Sequence, residues 1–271
     1  MRAWLRRLVG AKPPRFEAKV VGWERPFDRL EFRGIVEGRR VDVPRRATVE
    51  FRSAQARKID FSDQAIDNFG AFGTEFDECD FSGVSFGGGV LGHVPQVIYR
   101  RCRFKGADLR DCSPLWARFE NCDFSHARVD DWQATEAEFV ECTFAGRLLG
   151  VKFSGRARQD PKAPYRPPRT VNQFARNDFS GAELIDCSFS RGIRVTDNTM
   201  PAGPDYVLVV GAVKKLRAAR DQVLIWPESE KQRKALIWLD VYSRWGYEDQ
   251  DELFVRTDEI APGLRELLTT T

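Results

Sequence analysis

Six cysteines and two histidines are the residues best suited to metal or nucleophilic chemistry, and their spacing argues against both. Cys79, Cys102, Cys112, Cys122, Cys142 and Cys187 include no C-x-x-C pair. The ten- and twenty-residue gaps from Cys102 to Cys142 match no zinc-ligand spacing. Each cysteine instead stands two residues before a large residue (Phe81, Phe104, Phe124, Phe144, Phe189) or, for Cys112, before Pro114. A free cysteine in that setting is a small inward hydrophobe. Inward free thiols also point to a reducing compartment, the cytoplasm. His93 and His126 sit in no nucleophile or metal motif, and Ser125 beside His126 is one of many polar residues in a repeating pattern. No catalytic constellation emerges. The expectation is a non-enzymatic protein without metal or cofactor.

The carboxylates and guanidinium groups remain, and they are segregated. Residues 61–141 hold 15 acidic against 7 basic side chains. Residues 152–176 hold 7 basic residues against the single Asp160, and residues 1–46 hold 13 basic against 6 acidic. The net charge of +3 therefore combines an acidic middle with two basic stretches. Candidate partner-binding carboxylates in the middle are Asp77, Glu78, Asp80, Asp123, Asp130, Asp131, Glu138 and Glu141. In the second basic stretch the candidates are Arg156, Arg158, Lys162, Arg166 and Arg169, with Tyr165 among them. A solvated mixed-charge surface is the competing reading for both groups.

A backbone with an unusual period must position these groups. From about Val49 to Phe189 a phenylalanine or leucine returns every fifth residue, with a small residue two places before it. Thr74-Glu-Phe76, Cys79-Asp-Phe81 and Val84-Ser-Phe86 show the pattern, as do Ala117-Arg-Phe119 and Cys122-Asp-Phe124. Five is neither the helical 3.6 nor the alternation of a flat strand. An extended step places both apolar residues of a pentad on one face, and the chain must then turn a corner. Coils that bend every five residues satisfy the pattern, stacking at about 4.8 Å.

Ala107-Asp-Leu109-Arg-Asp, Ala182-Glu-Leu184-Ile-Asp and the Cys-x-Phe pentads resemble the pentapeptide-repeat family over a little over half the chain. The resemblance implies an all-β repeat fold, a right-handed quadrilateral β-helix with four pentads per coil. Its members include quinolone-resistance proteins that mimic DNA and shield topoisomerases, and others without one common function. It also allows a homodimer.

The expected organisation has three parts. Residues 1–46 form a basic N-terminal cap, with Leu30-Glu-Phe32 already one pentad. Within them Trp4, Leu5, Leu8 and Val9 suit a packed or flexible end, a membrane-surface anchor being the alternative. Residues 47–195 form the β-helix. At 69–71 the sizes swap, with Phe69 in the small site and Ala71 in the large one. Two loops are expected to leave the coils, about 87–94 (Gly87-Gly-Gly-Val-Leu-Gly-His-Val94) and about 155–173. The glycine triplet precedes no Lys-Ser/Thr and no helix, so it reads as loop flexibility rather than a phosphate cradle. The four prolines of the second loop suit an extended arm. Residues 196–271 form a mainly helical cap or dimerisation segment without an independent core. There Ala212–Trp226 and a helix opening at Pro227-Glu-Ser-Glu230 show helical spacing, and the tryptophans serve packing.

The function these features suggest is binding of a macromolecule through outer faces and loops. A protein partner comes first, a type II topoisomerase being the specific version through DNA mimicry. Nucleic acid held by the basic N-terminus and arm is the second alternative. No apolar run is long enough to span a membrane.

Overall fold

Why five residues make one side of a coil is visible in the strand register. The computed structural model describes residues 16–20, 29–38, 40–157 and 169–269. Parallel pairing steps by 20 residues, as in Val49–Phe69–Gly89, Ala56–Phe76 and Phe119–Phe139. Twenty residues are four pentads, so each coil has four sides and every inward residue lies above its equivalent.

The first face carries Val49 and Phe51 inward, the second Ala54 and Ala56, the third Ile59 and Phe61, and the fourth Ile66. Aromatic columns fill the interior. On the second face Phe76, Tyr99, Phe119 and Phe139 stack with centroids 4.7, 4.9 and 5.1 Å apart. On the third, Phe81, Phe104, Phe124 and Phe144 stack at 5.0, 4.9 and 5.1 Å. The stacking distance equals the inter-strand spacing, so one large ring per pentad fills the space with no gap between coils. The swapped pair Phe69 and Ala71 is fully enclosed, as volume conservation requires. Pro114, which cannot donate a ladder bond, stands where the first-face ladder is interrupted between Cys112–Ser113 and Gln133–Ala134.

The first expected loop is corrected. Gly89–Val90 pairs with Phe69–Gly70 on one side and Cys112–Ser113 on the other, and Leu91 is buried at the large-residue site. The coil therefore continues through the glycines. Phe76 pairs with Tyr99, a step of 23, so only three extra residues lie between Leu91 and Val97. The Tyr99 hydroxyl donates to the Leu91 carbonyl at 2.7 Å, which satisfies the one polar atom in that column. The glycines are there because neighbouring backbone presses close. A Cβ on Gly89, at φ +138°, would lie 2.0 Å from the Phe69 carbonyl oxygen.

The second excursion is real. Phe139 pairs with Phe174, a step of 35, so 15 residues are added to a coil. Its base is closed by an antiparallel bridge between Arg156 and Val171 and by the Ala157 N–H donating to Thr170 O at 3.1 Å.

At the N-terminal end, Arg29–Glu37 is the first rung, parallel to Thr48–Arg57 with Leu30 and Phe32 inward. Phe16–Val20 pairs antiparallel with it and covers that edge. The segment holding Trp4 to Val9 lies outside the described residues.

The other end is more than a helical cap. Helices α1 (Ala212–Leu224), α2 (Glu230–Tyr242) and α3 (Leu264–Thr269) accompany two antiparallel strands, Tyr206–Val210 and Glu252–Arg256. Val207, Val209, Leu216, Val223, Leu239 and Leu264 form a buried cluster separate from that of the coils. This corrects the expectation of no second core. Ser229 caps α2, its side chain accepting from Gln232 N at 3.2 Å, as the Pro227-Glu-Ser-Glu opening suggests. Phe254 and Tyr206 pack on the last coil. Side chains satisfy its exposed backbone. The Tyr206 hydroxyl accepts from Leu184 N, Gln250 Oε1 from Gly192 N, and Glu252 from Thr196 N. Trp226 and Trp238 pack against the second cluster, whereas Trp245 is exposed. No described helix is long and apolar enough to cross a membrane.

Candidate functional surface

The third face shows how a carboxylate can be structural. In Asp60-Phe-Ser, Asp80-Phe-Ser, Asp123-Phe-Ser and Asp178-Phe-Ser the aspartate accepts from the serine N–H two residues on, each at 2.8–2.9 Å. These side chains close the corner by an Asx turn. Asp80 is also paired with Arg103 at 2.7 Å. Burial alone would raise its carboxyl, but Ser82 and Arg103 outweigh that and lower it.

The second face spends its carboxylates on neighbours one coil away. Arg57 reaches Asp77 at 3.6 Å, Lys58 reaches Glu78 at 3.7 Å, and Arg100 reaches Glu120 at 2.8 Å. Arg101 also meets Asp77, and Arg176 pairs with Glu141 at 2.8 Å. Each exposed pair is worth about 0–1 kcal/mol; their larger consequence is that this face is electrically mixed.

Glu138 is almost wholly enclosed. It accepts from Gln96 Nε2 and the Gln173 N–H, both at 3.0 Å, and lies 3.3 Å from Arg118 and 3.4 Å from Arg169. Arg169 donates as well to Asn172 Oδ1 and to the Glu136 carbonyl. Burial lowers its guanidinium below the ordinary value. Arg169 therefore holds the root of the arm to the coil instead of reaching outward. Arg156 pairs with Asp249 of the C-terminal unit. Arg158, Lys162, Tyr165 and Arg166 lie outside the described residues.

A different set of acids remains. Asp63, Asp67, Asp111, Asp130, Asp131 and Asp186 stand on or beside the third and fourth faces, exposed or half-exposed. Among the described residues none of them forms an ion pair. Asp111 and Asp131 occupy the same position on successive coils, with Asp130 beside them. Arg110, adjacent in sequence to Asp111, is engaged by both oxygens of Asp108 at 2.9 and 2.8 Å, an arrangement that lowers the Asp108 carboxyl, and it feels Asp111 and Asp130 only through longer-range attraction. Asp63, Asp67 and Asp111 were not singled out by sequence reasoning. A signal existed, because the residues 20 positions after Asp63 and Asp67 are glycines and the residue 20 after Asp111 is another aspartate.

The cysteines lie where the pentads place them, with one difference. Five are buried, four of them in a single third-face column, while Cys187 is half-buried beside the C-terminal unit. Asn177 continues the column, its Oδ1 accepting from Cys142 N and its Nδ2 donating to Phe139 O, both at 3.0 Å. Burial pushes the Cys112 thiol up to about 12 and the Cys187 thiol up to about 11. A maleimide or aromatic disulfide reagent is therefore expected to modify at most Cys187 in the folded protein, at a rate that rises with pH because the thiolate reacts. Rapid modification of two or more thiols, read by intact mass, would overturn the inward register.

The lowered carboxyls make a second expectation. Asp80, Asp108 and Asp178 are held below the ordinary carboxylate range, as is Glu120, where Arg118 and Arg100 outweigh the opposing effect of burial. Their folded values lie below their unfolded ones. Their contribution is therefore complete above the ordinary values of about 4 and is lost as pH falls through the lowered ones. The melting temperature should hold from neutrality to about pH 4.5 and fall below about pH 4. A melting temperature unchanged down to pH 2 would contradict these assignments.

Comparison with known proteins fits the coils. Residues 100–131 match the family model described as Pentapeptide repeats (8 copies). The stack is the pentapeptide-repeat β-helix, and the resemblance read from the sequence holds over these residues. No curated protein matches the chain. Among solved structures, full-length QnrB1, a plasmid-mediated fluoroquinolone resistance protein, is similar at 16% identity over 63% of this chain and 91% of its own, with a TM-score of 0.19. A trypsin-treated form of QnrB1 gives 18% identity over 58% and 90%, with a TM-score of 0.18. Likenesses of that size leave the functional argument to this chain's own residues.

Proposed function

We propose that the chain is a non-enzymatic binding protein that presents the acidic third and fourth faces of its coils to a cationic site on a protein partner. The observation that carries this is the asymmetry of ion pairing. Second-face carboxylates are matched by cations about one coil away; on the third and fourth faces Asp60, Asp80 and Asp108 are paired with arginines, but Asp63, Asp67, Asp111, Asp130 and Asp131 form no ion pair among the described residues. Successive coils offer such groups at multiples of about 4.8 Å along a rigid stack. A groove built to bind a polyanionic duplex is the complementary surface.

The specific version is a type II topoisomerase, with the rod standing in for DNA. The alternative, nucleic acid held by the basic N-terminus and arm, loses two of its arm residues, because Arg156 and Arg169 are already engaged. The test is a gyrase supercoiling assay at rising protein concentration, with and without a topoisomerase poison. The DNA-mimic reading expects dose-dependent inhibition alone and relief of poison-induced cleavage. If the protein changes neither, the topoisomerase version is wrong and the acidic faces must serve another cationic partner.

A further inference from the structure

The C-terminal unit contains a cleft of about 340 Å³ that the coils do not share. Val213, Leu216, Arg217 and Arg220 reach it from one stripe of α1, at the i, i+3, i+4, i+7 spacing of a single helix face. Asp240, Tyr242, Ser243 and Arg244 enter from the end of α2, followed by Tyr247 and Glu248.

The charges in this cleft do not balance. One oxygen, Asp240 Oδ1, serves both Arg220 at 3.5 Å and Arg244 at 3.2 Å. Arg217 is exposed and forms no ion pair among the described residues. Three guanidinium groups therefore face two carboxylates, and one of those, Glu248, accepts from the Gly246 N–H at 2.9 Å. The floor is apolar, from Val213 and Leu216. One wall is aromatic, the Tyr242 and Tyr247 rings lying 5.0 Å apart.

We propose that this cleft binds a small phosphate monoester on a planar body, such as a nucleoside monophosphate. Arginine forks match phosphate oxygens two at a time, and an anionic phosphate there would meet the excess of guanidinium groups that Asp240 and Glu248 leave unmatched. The tyrosine wall and aliphatic floor suit a flat ring better than a bare ion. The volume is at the small end for ligand pockets, which favours a mononucleotide over anything larger.

Calorimetric titration of the full chain at low ionic strength tests the proposal, using inorganic phosphate, AMP and adenosine as probes. Saturable one-to-one binding is expected for phosphate and, more tightly, for AMP, with none for adenosine. The double variant Arg217→Ala/Arg244→Ala should weaken AMP binding by about tenfold or more. Both side chains are exposed, so its melting temperature should stay near that of the wild type. Asp240→Asn should act in the opposite direction, tightening AMP by about threefold because two guanidinium groups lose their competing carboxylate. The proposal is overturned by any of three results: no saturable heat from phosphate and AMP, unchanged AMP affinity in the arginine variant, or adenosine binding as tightly as AMP.

Discussion

Replacing Phe124 by alanine should cost about 3–5 kcal/mol of stability, while Ser125→Ala, one residue along, should stay within about 0.5 kcal/mol. Phe124 is buried between Phe104 and Phe144, with parallel rings at 4.9 and 5.1 Å, and meets Phe119 edge-on at 5.2 Å. Truncation removes the ring's burial and leaves a cavity bounded by two further rings. Coils fixed at the strand spacing by ladder hydrogen bonds cannot collapse into it. Ser125 contributes its backbone N–H to Asp123, and alanine keeps that donor. Because stability in stacked coils is a sum of neighbour contacts, the loss should also broaden the unfolding transition. Chemical denaturation of the two variants measures the difference. Equal effects would mean that the inward and outward assignments are wrong.

Gly89→Ala should be at least as damaging, about 3–5 kcal/mol, although it adds only a methyl group. The new Cβ would stand 2.0 Å from Phe69 O and 2.7 Å from Phe69 N, both backbone atoms, at a φ of +138° that L-residues rarely adopt. No rotamer change relieves such a clash. Either the strand pair Phe69–Gly89 opens or two coils separate. Gly106→Ala is the control, since its Cβ would meet nothing within 4 Å despite a φ of +67°; it should cost about 1 kcal/mol, the backbone penalty alone. Thermal melts of the two variants decide the matter, and a near-neutral Gly89→Ala would restore the reading of this segment as a flexible loop.

Those glycines show where sequence reasoning reached its limit. The period of five exposes the inward register because every ring must fill the same slot. For that reason the cysteine positions and the exchange at Phe69 and Ala71 could be read directly. A glycine run is ambiguous, since loose chain and close backbone approach demand the same residue. The pairing that resolves it, Gly89 between Phe69 and Cys112, lies at a distance of about one coil in sequence. Glu138 and Arg169 failed for a related reason. Both have the composition of surface residues, and only the closure of a 15-residue insertion brings them together in an enclosed site. The strand Glu252–Arg256 was also missed. Its Leu-Phe-Val core is three residues long and flanked by charges, and becomes a strand through pairing with Tyr206–Val210. The ion-pair ladder, by contrast, was legible in principle. Arg57 and Asp77, Lys58 and Glu78, and Arg100 and Glu120 are each 20 residues apart, the length of one coil.

That ladder bears on the central claim, that the partner meets the third and fourth faces and not the second. The most direct measurement compares three proteins for binding to purified DNA gyrase by interferometry at low and moderate salt. They are the wild type, Asp111→Asn/Asp130→Asn/Asp131→Asn, and the second-face variant Asp77→Asn/Glu78→Gln/Glu141→Gln. All keep side-chain size, and melting curves confirm that each is folded. The expected result is a loss of about tenfold or more in the first variant, with a shallower salt dependence, and a change within about twofold in the second. Full affinity in the first variant, or the larger loss in the second, would contradict the assignment of the acidic third and fourth faces as the binding surface.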